Sequence, residues 1–147
     1  MPVSNMNGTT IGTSATLPAT YNAAGYAALT FTNIGEVLSI DGELGKVFNE
    51  ITHQALGRSY PEKFKGTYNI PNITMTIGKI AADGGQVLLQ AALNAQASYS
   101  FVITLPSGNT GSITGKVMKA AQGAIAVDGV ETTVVDIAID PQSLFEA

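Results

Sequence analysis

Cysteine and tryptophan are absent from this 147-residue chain, histidine occurs once, and charged residues make up only 12% of it. Without cysteine there can be no disulfide and no thiolate metal site, and nothing follows about redox compartment. One histidine, with no acidic loop of EF-hand spacing, leaves little to hold a metal ion. Lys and Arg number 7 against 11 Asp and Glu, a net charge of −4. That balance argues against tight nucleic-acid binding, which needs many cations on phosphates. There is no run of 18 apolar residues and no basic n-region followed by an apolar core. The expectation is a protein made in the cytoplasm that does not itself span a membrane. The charged share is about half the usual quarter of residues. So little charge is unusual for a monomer kept soluble by its own surface, and suits a chain whose surface is used in assembly.

What is present is organised around residues 70–105, read as strand, helix, strand. Asn72, Thr74 and Thr76 alternate with Ile73, Met75 and Ile77, the period of a half-buried strand. Asp83-Gly84-Gly85-Gln86 opens a helix expected over 83–97, with Asp83 as cap and Gln86 at capping-box spacing. Its apolar residues, Val87 to Ala95, spread over roughly two-thirds of the circumference. Only Gln86, Gln90 and Asn94 form a polar stripe. One small sheet does not cover so wide an arc, so Leu89 and Leu93 are candidates for packing on another subunit. Tyr99, Phe101, Ile103 and Leu105 then fall on one strand face.

Upstream, residues 1–25 are rich in Thr, Ser, Asn, Gly and Ala, and no charged side chain precedes Glu36. They read as an extended arm or a disordered tail. Tyr26 to Thr32 reads as a strand broken by Asn33-Ile34-Gly35, and Glu36 to Asp41 as a second piece. Residues 42–66 gather Glu43, Lys46, Glu50, Arg58, Glu62, Lys63 and Lys65, nearly balanced in sign. Gly57 and Pro61 prevent a long helix there, although Val47 to Leu56 could form a short helical turn. The segment reads as a long projecting loop, suited to docking on a neighbour. Downstream, Pro106 to Gly111 is a hairpin turn, Ser112 to Met118 a strand, Ala120 to Gly129 a loop, and Val130 to Ile139 the last strand. No internal repeat is present.

Catalytic patterns are missing. His53 lies in the charged segment with no nucleophile motif beside it and reads as a surface or interface residue. Asp136 and Asp140 share a strand face, and paired carboxylates can act as acid and base. A solvated acidic stripe is the plainer reading. Gly108 and Gly111 do not sit at a helix start, as a phosphate cradle requires. Asn7-Gly8-Thr9 and Asn72-Ile73-Thr74 match the glycosylation pattern, which carries no weight without a secretory signal. The expectation is a chain that is not an enzyme and needs no cofactor.

The order of elements resembles the tail tube proteins of long-tailed bacteriophages. The likeness runs from about Ala27 to Asp140. It rests on Phe31 to Ile40 followed by the long segment, on the 68–78 strand, on Asp83-Gly84-Gly85-Gln86, and on Tyr99 to Leu105 with its Pro106-Ser107-Gly108 turn. The resemblance implies a mainly β fold, a β-sandwich or barrel with one flanking helix, formed by residues 26–147 after an arm at 1–25. It also implies hexameric rings with a continuous inner β-barrel, stacked through the arm and the 42–66 segment. The implied partners are further copies of the chain, a tape measure protein, and terminator or tip proteins. Double-stranded DNA would pass through the lumen without specific binding. The location would be the virion tail, assembled in the host cytoplasm. The family brings no catalytic residues.

Hydroxyl-bearing strand faces opposite apolar ones suit a wall that is dry on one side and wet on the other. Thr74, Thr76, Ser100, Thr104, Ser112 and Thr114 are the lumen-facing candidates, with Asp136 and Asp140 beside them. Lys116 shares the Ser112 and Thr114 face and cuts against a purely acidic lining. The alternative is that these faces look out to bulk solvent. The charged residues of the 42–66 segment are the stacking candidates. Two other readings stay open: a secretion-system tube protein of the same fold, and a carbohydrate-binding β-sandwich on a virion surface. The missing tryptophan argues against the second.

Overall fold

Period-two alternation places one set of side chains from each strand in a shared core. The computed structural model describes residues 7–123 and 125–146. Its strands are β1 Thr10–Ser14, β2 Thr32–Asn33, β3 Val37–Asp41, β4 Val47–His53, β5 Glu62–Asn69, β6 Ile73–Gly78, β7 Tyr99–Thr104, β8 Thr110–Gln122, β9 Thr132–Ile139 and β10 Phe145–Glu146. Two helices accompany them, α1 Ala23–Ala27 and α2 Gly84–Asn94. Eight strands form one sheet along the path β2-β1-β7-β8-β9-β6-β3, with β10 paired to β8, while β4 and β5 form a separate two-stranded sheet. All the pairings are antiparallel.

Register sets the core. Ile40, Met75, Val135 and Ala120 lie in one row across β3, β6, β9 and β8, and Ile73, Ile137 and Val117 in the next. Phe101 pairs with Ile113 and Thr13, and Ile103 with Ile11. Met75, Phe101, Ile113, Val135 and Ile137 are completely buried, and Leu89 of α2 joins the same cluster. The sheet therefore wraps around one core and is plugged on its inner face by α2. The result is mainly β, one large curled sheet with a flanking helix, as the resemblance implied.

The helix begins as its sequence requires. Asp83 is extended and its carboxylate accepts from the Gln86 N–H at 3.0 Å, and also from the Gly35 N–H at 3.1 Å. Gln86 does not complete a capping box. Its side chain turns inward instead, accepting from Ile80 N–H at 2.9 Å and donating to Gly78 O at 2.8 Å and Gly35 O at 3.2 Å. Gly85 lets the helix approach the 33–34 backbone, since a Cβ there would meet Asn33 O and lie 2.6 Å from Ile34 Cα. The helix stops at Asn94, short of the expected 97.

Three expectations are corrected. Residues 10–14 of the anticipated arm are not a tail: β1 lies between β2 and β7, and Ile11 is in the core. Residues 1–6 lie outside the described residues. The expected strand from Tyr26 to Thr32 is instead the end of α1 and a connection to the short β2. Asn22 caps α1 through its side chain, accepting from Gly25 N–H. The 42–66 segment is neither loop nor helical turn but the greater part of a β-hairpin, because Val47 to His53 registers against Glu62 to Asn69.

Candidate assembly surfaces

The sheet's outer face divides into two halves. On the open half, register aligns Asp41, Thr74, Asp136 and Lys119 in one row across β3, β6, β9 and β8. The Thr74 hydroxyl donates to Asp136 Oδ1 at 2.8 Å, and Lys119 Nζ lies 3.9 Å from Asp136 Oδ2. Ser39, Thr76, Val134 and Ala121 form the adjacent row. Thr74, Thr76 and Asp136 are half-buried in the single chain, and Lys116 is exposed opposite Ala138. This is a shallow polar wall whose central carboxylate is already matched by a hydroxyl and a cation. The ion pair is open to water and contributes little to stability.

Lys119 belongs to this wall only because β8 is bulged. The register slips between Val117 and Lys119, leaving Met118 without a partner and 63% exposed. Val117 and Ala120 then both reach the core side, which strict alternation forbids. The sequence signal was a lysine at a position whose parity pointed into the core.

The other half of the outer face is covered. Ser100, Ser112 and Thr114 are buried. The Ser100 hydroxyl donates to Thr16 O at 2.8 Å. Tyr26 of α1 lies over Thr114, its hydroxyl 3.1 Å from Thr114 Oγ1 and donating to Ser143 O at 2.7 Å. The Ser143 hydroxyl in turn accepts from the Thr114 N–H at 2.8 Å. Burial pushes the Tyr26 phenol above its ordinary range, and its two hydrogen bonds offset part of that rise. Residues 16–26 and the chain after Asp140 thus close over this half, so in the single chain these three hydroxyls face protein. Thr104 is half-buried between Thr10 and Thr110. Asp140 is half-buried and accepts from the Gln142 N–H at 3.1 Å. The structure therefore brings Thr74, Thr76 and Asp136 together on open surface and separates them from the buried hydroxyls.

The β4–β5 hairpin is the second surface. Its strands pack on each other and make no substantial contact with any other element. A register shift near Asn49 sorts its side chains between two faces. Phe48 and Tyr68 pack with their rings tilted by 54° and centroids 5.4 Å apart, Lys65 Nζ sits 4.0 Å from the Phe48 ring centre, and Lys46 Nζ 4.8 Å from that of Tyr68. Glu50 and Lys63 pair at 3.6 Å on this side. Ile51 is paired with Phe64, and both are about half exposed, as is Val47. Arg58 and Glu62 form an ion pair at the tip, and His53 lies opposite Glu62 with its side chain exposed. Of the seven charged residues singled out in 42–66, six pair or lie over rings within the hairpin, Glu50 with Lys63, Arg58 with Glu62, Lys46 over Tyr68 and Lys65 over Phe48, while Glu43 stands apart in the link before β4. The apolar residues that sequence reasoning passed over are the larger exposed feature, and their period-two spacing was the available signal.

Helix α2 offers less outward surface than its wide apolar arc suggested. Leu89 is 2% exposed in the chain's own core and has no side chain left for a neighbour. Leu93 is half-buried, Val87 and Ala91 are exposed, and Gln86 leaves the expected polar stripe for the interior. Among the described residues there is no cluster of three or more His, Asp or Glu, and no helix long and apolar enough to cross a membrane.

No protein-family model matches the chain, and no curated protein matches it in sequence. Solved structures do share its fold. A chain of the anti-feeding prophage baseplate, solved by cryo-EM and 6-fold symmetrised, aligns with a TM-score of 0.67 at 8% identity, over 100% of this chain and 96% of that one. A chain from the sheath/tube terminator of an extracellular contractile injection system, in its extended state, gives 0.68 at 12% identity, over 100% and 97%. One from the tube-terminating cap of the anti-feeding prophage gives 0.64 at 13% identity, over 100% and 91%. At such identities the likeness is one of fold, and it is a fold found in tail-like injection particles.

Proposed function

We propose that this chain is a structural subunit of a phage-like tail tube, whose copies join into rings and stack around a channel. The observation that carries the reading is the β4–β5 hairpin, which exposes Val47, Ile51 and Phe64 and, among the described residues, makes no substantial contact with any other element. A solitary two-stranded hairpin is marginal in water and gains stability from a surface that covers it. The sheet's two free edges point the same way, since closure between subunits removes such edges. A fold shared with a 6-fold symmetrised baseplate chain supports a ring. In that arrangement Thr74, Thr76 and Asp136 line the channel, and the tape measure, terminator and tip proteins are the further partners. In a phage, the channel conducts double-stranded DNA past a wall with few unpaired cations.

The test is assembly. Purified protein should form rings or tubes in negative-stain micrographs. Ile51→Asp with Phe64→Asp should keep the parent's circular dichroism spectrum and lose those assemblies, because the hairpin supports no part of the core. Assemblies that persist in the double variant would remove the basis of the reading. A second reading is a terminal position on the tube, favoured because the fold also occurs in structures described as a tube terminator and a cap. Rings that never stack, even when concentrated, would select it.

A further inference from the structure

Residues 15–31 join β1 to β2 and carry no charged side chain. They lie across the outer face of β7 and β8, yet none of them belongs to the hydrophobic core. Only Pro18, Gly25 and Tyr26 are buried within this span. Gly25 is covered by the span itself, since a Cβ there would strike the Thr20 carbonyl. The segment is thus a small body folded on its own backbone. Its helix α1 makes no substantial contact with any other element, so α1 reaches the sheet through the length of the Tyr26 side chain. The attachments are polar: Ser100 Oγ to Thr16 O, and the Tyr26 hydroxyl with Thr114 Oγ1 and Ser143 O. At the far end, β2 is only two residues long.

Beneath the segment the sheet presents hydroxyls rather than the apolar groups that suit a permanently dry contact. Register puts Ser14, Ser100 and Thr114 in one row across β1, β7 and β8, and Thr10, Thr104 and Thr110 in another on the same face. Covering such groups is costly unless each finds a partner, and water serves them nearly as well as protein does. We infer that residues 15–31 are a lid, latched by Tyr26, which swings off the β1–β7–β8 face and returns while the core stays folded. Opening wets the Ser14–Ser100–Thr114 row and extends the polar wall already open at Thr74 and Thr76. One fold then carries a narrow and a wide polar face, and the Tyr26 latch sets the balance between them. Ser143 stays behind, because its hydroxyl is bonded to both Thr114 N–H and Thr114 O. The lid is a property of the single chain and does not depend on the tube reading.

Because the chain has no cysteine, single introduced thiols report the opening. Ser100→Cys and Thr114→Cys lie under the lid, while Thr13→Cys, fully buried on the core side of β1, is the control. In native buffer the two lid-covered thiols should react with a thiol reagent roughly tenfold faster than the control, at rates that low urea scarcely changes. Tyr26→Phe should speed the reaction at residue 100 roughly fivefold by removing the latch. The deciding comparison is Val135→Ala, in the core and away from the lid. It should speed labelling at residue 13 roughly tenfold and leave labelling at 100 and 114 within about twofold, because open and closed lids share one core. Equal acceleration at all three sites would mean that the covered face is reached only by global unfolding, and would overturn the lid. So would protection at 100 and 114 that matches residue 13 in native buffer.

Discussion

Replacing Gln86 by alanine tests whether a buried amide, rather than an apolar contact, fixes α2 to the sheet. The side chain is 8% exposed and makes three hydrogen bonds, to Ile80 N–H, Gly78 O and Gly35 O. Those partners belong to the end of β6, the connection that follows it and the turn before β3, so one residue ties three segments together. A neutral hydrogen bond contributes about 0.5–1.5 kcal/mol net, and buried partners left unpaired move the cost to the upper part of that range. Three such bonds place the loss at roughly 2–4 kcal/mol. At about 3 °C per kcal/mol for a domain near 150 residues, the midpoint of thermal unfolding should fall by roughly 6–12 °C. Gln90→Ala, one turn along on the exposed side, is the control and should lie within about 0.5 kcal/mol of the parent. Urea unfolding followed by circular dichroism gives both values. Equal effects at the two positions would refute the reasoning, and α2 would then be held by Leu89 and Ala92 alone. Gln86→Glu sharpens the test, since it keeps an acceptor for Ile80 N–H but faces two carbonyls. Its carboxyl should be held protonated in the fold, so stability should fall as pH rises and recover on acidification.

Other outcomes follow from features already described. Tyr26 has its ionisation raised in the folded state, so the fold holds a proton that the unfolded chain releases first. Stability should be fully retained below the ordinary tyrosine range near pH 10 and decline above it. Tyr26→Phe should be less stable at neutral pH yet show a flatter decline between pH 9 and 11 in urea midpoints, and an unchanged slope would contradict the assignment. Gly85→Ala forces the helix away from Ile34 and should cost about 1–3 kcal/mol by thermal unfolding, whereas Gly45→Ala, with open space around it, should be close to neutral. Thr74→Lys with Thr76→Lys should leave assembly intact and make the tubes retain duplex DNA in a salt-dependent way. Tubes that retain no more DNA than the parent at low salt would mean that this row does not face the channel.

Much of the core was legible because it depends on parity. Ile73, Met75 and Ile77, with Phe101 and Ile103, are spaced by two, Ile113 and Val117 by four, and all reach the interior. The helix start was equally readable, since Asp83 needs only its neighbour's N–H to act as a cap. Non-local pairing was not readable. Thr10 to Ser14 carries little hydrophobic signal, and only the presence of β7 makes it a central strand. Ser100, Ser112 and Thr114 have the composition of a wet face but lie dry, because segments far away in sequence close over them: Tyr26 brings a phenol to Thr114, and Thr16 a carbonyl to Ser100. The β8 bulge escapes any periodic template, and with it the place of Lys119 opposite Asp136. Charges masked the hairpin: mixed signs between Glu43 and Lys65 resemble a solvated loop, while cross-strand pairing turns Glu50 and Lys63 into neighbours.

The β4–β5 hairpin touches almost nothing but itself, and this separates two free-energy scales within one chain. Core stability is set by the curled sheet and α2, so changes at the hairpin leave the monomer's melting point nearly unmoved. A pool of folded subunits can accumulate while the hairpin's contribution to contact stays unused. In the assembly proposed above, the first contacts cover the least of the hairpin's exposed apolar surface and would be the slowest to form. In that assembly, growth from an existing end would be favoured over spontaneous initiation, so polymer length would answer to the number of starting points rather than to the amount of subunit.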